Sequence, residues 1–303
     1  MKGETSVGRR GPWLGAVDRM ILAFLAFLAV VAAARHPQPV PVLAGIAAMA
    51  GALLGASALR DRFAVARWIQ DFYPLPAVIV IFNVAGPLIG AANPARWDET
   101  FAALDQRLLG ALVPAWRSAL GRPAWLTDLA SLVYVSYYVV PVVMAVALFV
   151  RGQRADFDAA VFGFIATLLV SYAGYFLFPT TGPRVPRGME AEVLGGGAAS
   201  AGVRAFVHFA EVNQLDAFPS GHTALSLVFL AYGWRLFPRW RVPFLMLTSG
   251  IIFSTVYLSW HYAVDLIAGA IQALAMAALV PALRRVFGGR PVPSPAAPDP
   301  VVS

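Results

Sequence analysis

The chain reads as an all-α integral membrane protein, a bundle of about eight transmembrane helices, and three observations carry that reading. Hydrophobic residues fill 59% of its 303 positions and charged residues only 13%, against about 45–50% and about 25% in soluble domains. The apolar residues are gathered in runs close to the ~20 residues that cross a bilayer. The segments between runs are rich in arginine, as loops that meet lipid head groups are.

The runs are 20–34, 40–59, 74–92, 124–150, 159–178, 218–234, 242–260 and 264–283. The first and sixth are short for a crossing, and the fourth is long enough to tilt or protrude. Lys2, Arg9, Arg10 and Arg19 precede the first run in the manner of a signal sequence. Arg35-His36-Pro37 is a poor small-residue cleavage site, so that run is expected to stay as a signal anchor. With the N-terminus in the cytoplasm, 15 of the 23 basic residues fall on inner segments and 8 on outer ones. That bias, and an even number of crossings, predict both termini inside.

Two outer stretches are long. Residues 93–123 place Trp97, Phe101, Leu104, Leu108 and Leu109 among charges at a spacing that suits an interfacial helix. Residues 179–217 read as a loop with a short helix near 203–212. The tail after Gly288 is Pro-rich and is expected to be disordered. The organisation is thus a cytoplasmic N-terminus (1–19), two N-terminal helices (20–59), a six-helix unit (74–283) and a cytoplasmic tail (284–303). A GC-rich, bacterial source fits the near-exclusive use of arginine, Lys2 being the sole lysine.

Composition also excludes chemistry. With no cysteine there is no disulfide, zinc thiolate or thiol nucleophile. The net charge of +7 is accounted for by loops and anionic head groups, with no nucleic acid required. His36, His208, His222 and His261 are the whole imidazole stock. Of these, His36 and His208 read as loop residues. Asn83, Asp128 and Gln272 read as polar contacts or helix ends in the bundle. Tyr134, Tyr137, Tyr138, Tyr172 and Tyr175 read as packing or interface residues, and Gly51 and Gly55 as a helix-contact pair.

Three clusters carry the candidate chemistry, and the topology sets all of them at one face. The first is Phe178-Pro179-Thr180-Thr181-Gly182-Pro183-Arg184, at the end of the fifth run; Arg184, with Arg187 after it, offers a guanidinium fork matched to phosphate oxygens. The second is Phe218-Pro219-Ser220-Gly221-His222-Thr223, at the start of the sixth. Ser220 caps a helix there, Gly221 lets an anion approach the backbone, and His222 is in position to give a proton. The third runs from Ser254 to Asp265. His261 and Asp265 are four apart, so a helix brings them to one face, where the carboxylate fixes the imidazole tautomer. The clusters lack the carboxylate-rich set of a magnesium site, and no coenzyme is indicated.

The Pro219-Ser220-Gly221-His222 motif and the Ser254…His261-x-x-x-Asp265 motif resemble those of the type 2 phosphatidic acid phosphatase superfamily. That superfamily holds lipid phosphate phosphatases, inositol phosphorylceramide synthases and soluble vanadium haloperoxidases. The resemblance covers the third run to the eighth and implies a six-helix phosphatase-type core with two helices added before it. It implies that His261 attacks phosphorus, Asp265 orients it, His222 protonates the leaving oxygen, and Arg184, Ser220 and Gly221 hold the phosphoryl oxygens. The implied partner is a lipid phosphate, met at the extracytoplasmic face of a bacterial inner membrane. Two departures stand out. Leu177 occupies the place of the phosphatase lysine seven residues before Arg184, and Thr255 the place of the arginine after Ser254; Arg187 and Arg204 are the candidate replacements. The Phe-Pro-Thr-Thr-Gly-Pro-Arg stretch is similar to the inositol phosphorylceramide synthase branch, whereas Ser-Gly-His is similar to the phosphatases. Water and a lipid hydroxyl both stand as acceptors.

Overall fold

A computed structural model describes residues 13–60, 62–185 and 188–289. Thirteen α-helices follow one another among them: α1 Ala16–Arg35, α2 Pro39–Leu59, α3 Ala64–Phe72, α4 Pro74–Ala92, α5 Asp98–Leu109, α6 Leu112–Leu120, α7 Ala124–Val150, α8 Arg154–Leu177, α9 Glu190–Leu194, α10 Ala198–Ala210, α11 Gly221–Leu236, α12 Arg241–Tyr257 and α13 Ala263–Val286. Each predicted run falls on a long helix. Six of these, α1, α2, α4, α7, α8 and α13, are long and apolar enough to cross a membrane. The protein is therefore an all-α integral membrane protein. The other two, α11 and α12, have 16 and 17 residues, fewer than the ~20 of a perpendicular crossing.

Burial orders the helices. Along α8, 78% of the apolar stretch is buried inside the protein, against 17% along α2. α8 is the axle: α1, α4, α7, α11 and α13 all pack on it. Phe162, Phe164, Ile165 and Ala166 along its middle are each at most 1% exposed. A helix that is apolar all round and walled by others gives van der Waals contact on every side, the main source of cohesion where lipid is as apolar as leucine. α2 packs on α1 and α3 at the periphery. Its Gly51 and Gly55 meet no neighbour within 4 Å of a built Cβ, so the predicted glycine contact is not made within the described residues.

The N-terminal helices are tied down by polar atoms. Asp18 on α1 accepts hydrogen bonds from Gly15 N at 2.6 Å, Gln70 Nε2 at 2.8 Å and Tyr73 Oη at 2.6 Å, and Gln70 Nε2 also reaches Ser57 Oγ on α2 at 2.9 Å. A buried carboxylate is tolerated here because donors from three elements saturate it.

Several boundaries depart from expectation. α1 begins at Ala16 and α13 runs to Val286, so parts of the expected terminal segments are helical; residues 1–12 and 290–303 lie outside the described residues. The amphipathic α3 went unread because nine residues are too few to show a period. Residues 93–123 form two helices, α5 and α6, broken at Gly110, whose φ is 52°. α10 spans 13 residues and contains His208, which is thus helical and not in a loop. Asp128 explains where α10 starts: its Oδ1 accepts from Gly197 N at 2.8 Å and Ser200 N at 3.0 Å, capping the helix from outside.

Candidate active site

The three clusters meet at one end of the bundle. Ser220 is the N-cap of α11, and its Oγ accepts from Thr223 N at 3.2 Å. This leaves His222 in the first turn, 8% exposed. An added Cβ at Gly221 would stand 2.8 Å from Tyr175 Oη, so the missing side chain also lets α11 pack closely on α8.

His261 and Asp265 pair, though not as two residues of one helix. α13 starts at Ala263 with Tyr262 as its N-cap, so His261 precedes the helix. Asp265, in the first turn, folds back. Its Oδ2 accepts from Tyr262 N at 2.9 Å and lies 3.3 Å from His261 Nδ1. The carboxylate thus caps the helix and orients the imidazole at once. The main-chain carbonyl of Asp265 accepts from Ser220 N at 3.0 Å, so one residue joins the second cluster to the third. Close approach makes that bond possible: at Gly269 a Cβ would lie 2.5 Å from Ser220 O.

The result is two imidazoles with ring centroids 5.6 Å apart, His261 being 2% exposed and Asp265 fully buried. Aromatic rings wall them. Tyr134 stacks on His222 at 4.6 Å and on Trp260 at 5.6 Å, and Tyr137 covers His222 at 4.2 Å. His222 Nε2 is buried with no hydrogen-bond partner among the described residues.

Arg184 completes the set. Its Cζ lies 5.3 Å over the Trp260 ring, and Nη2 donates to Asp216 Oδ1 at 2.5 Å, while Nε is buried without a partner among the described residues. Burial works against its charge, but Asp216, with Glu211 beyond it, outweighs that and lifts the guanidinium pKa above its ordinary value. The loop carrying it is held by α5. Asp98 Oδ1 accepts from Thr181 N and Gly182 N, each at 2.9 Å, and Asp105 Oδ1 accepts from Val264 N at 3.0 Å. Gly182 has φ 78°, and its Cβ would fall 2.8 Å from Trp260 O; an L side chain is excluded on both counts.

Of the predicted site residues, His222, His261, Asp265, Ser220, Gly221 and Arg184 come together. Arg187 lies outside the described residues. Arg204 donates to Gly195 O at 3.3 Å. Leu177 is 64% exposed. Thr255 is buried, and its carbonyl accepts from Trp260 N and His261 N, so its position serves the loop and holds no cation. Sequence reasoning missed Asp216, Asp98, Asp105 and Arg117, whose Nη2 donates to Ser259 Oγ two residues before His261. Only an acidic or basic residue on a predicted interfacial or loop segment could have signalled them. A cavity of about 80 Å³ adjoins His222, lined by Tyr137, Tyr138, Glu211 and Asp216.

Fold and site define a membrane-embedded helical bundle with a carboxylate-oriented histidine facing a second histidine across a buried, aromatic-walled space. The chain belongs to the PAP2 superfamily, whose family model matches residues 99–279. It is similar to a PA-phosphatase related-family protein of Dictyostelium discoideum, 23% identical over 209 residues, which are 58% of this chain and 38% of the relative. A phosphoinositol dihydroceramide synthase of Bacteroides thetaiotaomicron is 27% identical over 155 residues, 46% of this chain and 50% of the relative. A lipid A 1-phosphatase of Rhizobium etli is 33% identical over 110 residues, 34% of this chain and 46% of the relative. The chain thus spans half or less of the length of each. No solved structure matches.

Proposed function

We propose that the chain is a lipid phosphate phosphatase that works through a phosphohistidine on His261. The observation that carries this is the Asp265–His261–His222 alignment: Asp265 at Nδ1 leaves Nε2 of His261 free, with His222 across a 5.6 Å ring separation. The His261 Nε2 lone pair forms the N–P bond as the bond from phosphorus to the lipid oxygen breaks. His222 Nε2, which has no other partner, gives its proton to that oxygen. Arg184, whose Nε is also unpartnered, and the capped start of α11 hold the equatorial oxygens. Water then attacks phosphorus, His222 takes its proton, and His261 departs. The names of the phosphatase relatives and the Ser-Gly-His motif support this reading. Arg117, drawn to Ser259 beside His261, is the cation we assign to the place left by the arginine missing after Ser254.

The arginine bias supports an extracytoplasmic site in a bacterial inner membrane, the N-terminal pair of helices being an addition to a core over 74–283. One observation favours a second reading, transfer of the phosphoryl head group to a lipid hydroxyl: the cavity beside His222 presents Asp216, Glu211 and four tyrosines, groups able to orient a hydroxyl acceptor. The synthase relative supports it too.

The test uses full-length protein in detergent with dioleoyl phosphatidic acid and a chelator, with and without an acceptor such as a ceramide. The phosphatase reading expects inorganic phosphate in both arms and a loss on the order of 10⁴-fold in His261→Ala. The transferase reading expects a new phospholipid in the acceptor arm. Undiminished phosphate release by His261→Ala overturns both.

A further inference from the structure

A second site lies at the far end of the bundle. Between α11 and α13, with Ala159 of α8 behind it, a cleft of about 700 Å³ is lined by small apolar residues, Ala231, Ala273 and Ala277 among them. Its size falls in the range of sites for whole ligands. At one end the cleft meets Arg284. That side chain belongs to a residue 7% exposed, yet its Nε and Nη1 have no hydrogen-bond partner among the described residues. Buried guanidinium donors are costly to leave unpaired.

Arg284 also lines a polar cavity of about 420 Å³ that Arg60, Arg154, Asp18, Asp71 and Asp158 share. The carboxylates there are mostly spoken for: Asp71 pairs with Arg154 at 2.8 Å, and Asp18 is saturated by Gly15, Gln70 and Tyr73. Asp158 is within electrostatic reach of Arg284 but makes no hydrogen bond to it. At the mouth of the cleft Arg235 is taken by Asp156 at 2.9 Å, while Arg285 projects outward beside Arg284. One arginine thus stands between an apolar slot and a polar chamber, with a second next to it. That is the outline of an amphiphile with an anionic head.

We propose that this cleft binds an anionic membrane phospholipid, its phosphate on Arg284 and Arg285 and one acyl chain between α11 and α13. Charge complementarity selects the occupant: the unpaired cations ask for an anion, and the apolar slot beside them asks for a chain. The site is distinct from the histidines. Arg284 lies 21 residues along α13 from Ala263, which at 1.5 Å per residue is about 30 Å. The lipid would stabilise the junction of α8, α11 and α13 from the end opposite the reaction.

Full-length protein in dodecyl maltoside is titrated with dioleoyl phosphatidylglycerol, dioleoyl phosphatidylcholine and inorganic phosphate, with bound lipid counted by native mass spectrometry and melting followed in parallel. Phosphatidylglycerol is expected to bind and to raise the melting temperature. Arg284→Gln with Arg285→Gln should weaken it about thirtyfold. Ala277→Phe, at an exposed position in the cleft, should abolish chain seating while phosphate release from phosphatidic acid stays unchanged; it decides the matter if the arginine variant fails to fold. Retention untouched by Ala277→Phe overturns the proposal. So does equal binding of phosphatidylcholine, or a melting shift reproduced by inorganic phosphate alone.

Discussion

The two ends of this bundle use buried charge differently. At the histidine end, charged groups hold loops and helix starts: Asp98 fastens the Arg184 loop to α5 and Asp105 the first turn of α13, Asp216 takes Arg184, and Asp265 bonds to both His261 and the turn at Ser220. At the other end, Asp18 ties helices to helices, and the pairs Arg154–Asp71 and Arg235–Asp156 are partly exposed. Exposed pairs are worth about 0–1 kcal/mol. The lesson is that one end uses its polar atoms to place the two histidines, the other to join helices. Substitutions at the two ends should therefore separate activity from stability.

The largest effect is expected at Asp265→Asn, which keeps the shape but exchanges an acceptor for an amide. Phosphate release should fall on the order of 10²–10⁴-fold, with a smaller change in melting. A variant of near-normal rate would remove the carboxylate from the mechanism. Gly269→Ala comes next. Its Cβ, 2.5 Å from Ser220 O, must push α13 from the turn, costing about 1–3 kcal/mol and up to roughly 10²-fold in rate through misplacement. Unaltered kinetics would show that the α13–Ser220 contact does not set the geometry. Asp18→Asn, at the opposite end, sharpens the contrast: about 1–3 kcal/mol of stability should go, read as a lower melting temperature, while kcat is kept. A parallel fall in kcat would couple the two ends. Gly55→Ala should be the mildest, within about 0.5 kcal/mol, because its Cβ meets open space; a large loss would mean that α2 has a partner outside the chain.

The spanning helices and the paired histidines were legible in the sequence because both are written in local pattern: twenty apolar residues in a row, or a serine, glycine and histidine at a helix start. The groups that set the histidines in place were not. Asp98 and Asp105 sit on a mixed stretch that reads as an interfacial helix, and nothing in their spacing says that they hold a loop 83 residues away and a helix start 159 residues away. Asp216 reads as one more loop acid until the fold brings it to Arg184. His261 and Asp265 illustrate a subtler gap. Their spacing pointed to the right contact, but through a helix that in fact begins after the histidine, so the partnership depends on a cap and not on a shared face.

α5 holds the Arg184 loop and the start of α13 from the rim of the bundle, its Phe101 buried while Leu104 and Leu108 are exposed. Such a strut is only as steady as the medium against which those leucines rest. Changing the surrounding amphiphile, even to one that is no substrate, is therefore expected to alter phosphate release before it alters melting, which assaying both across a series of detergents would check.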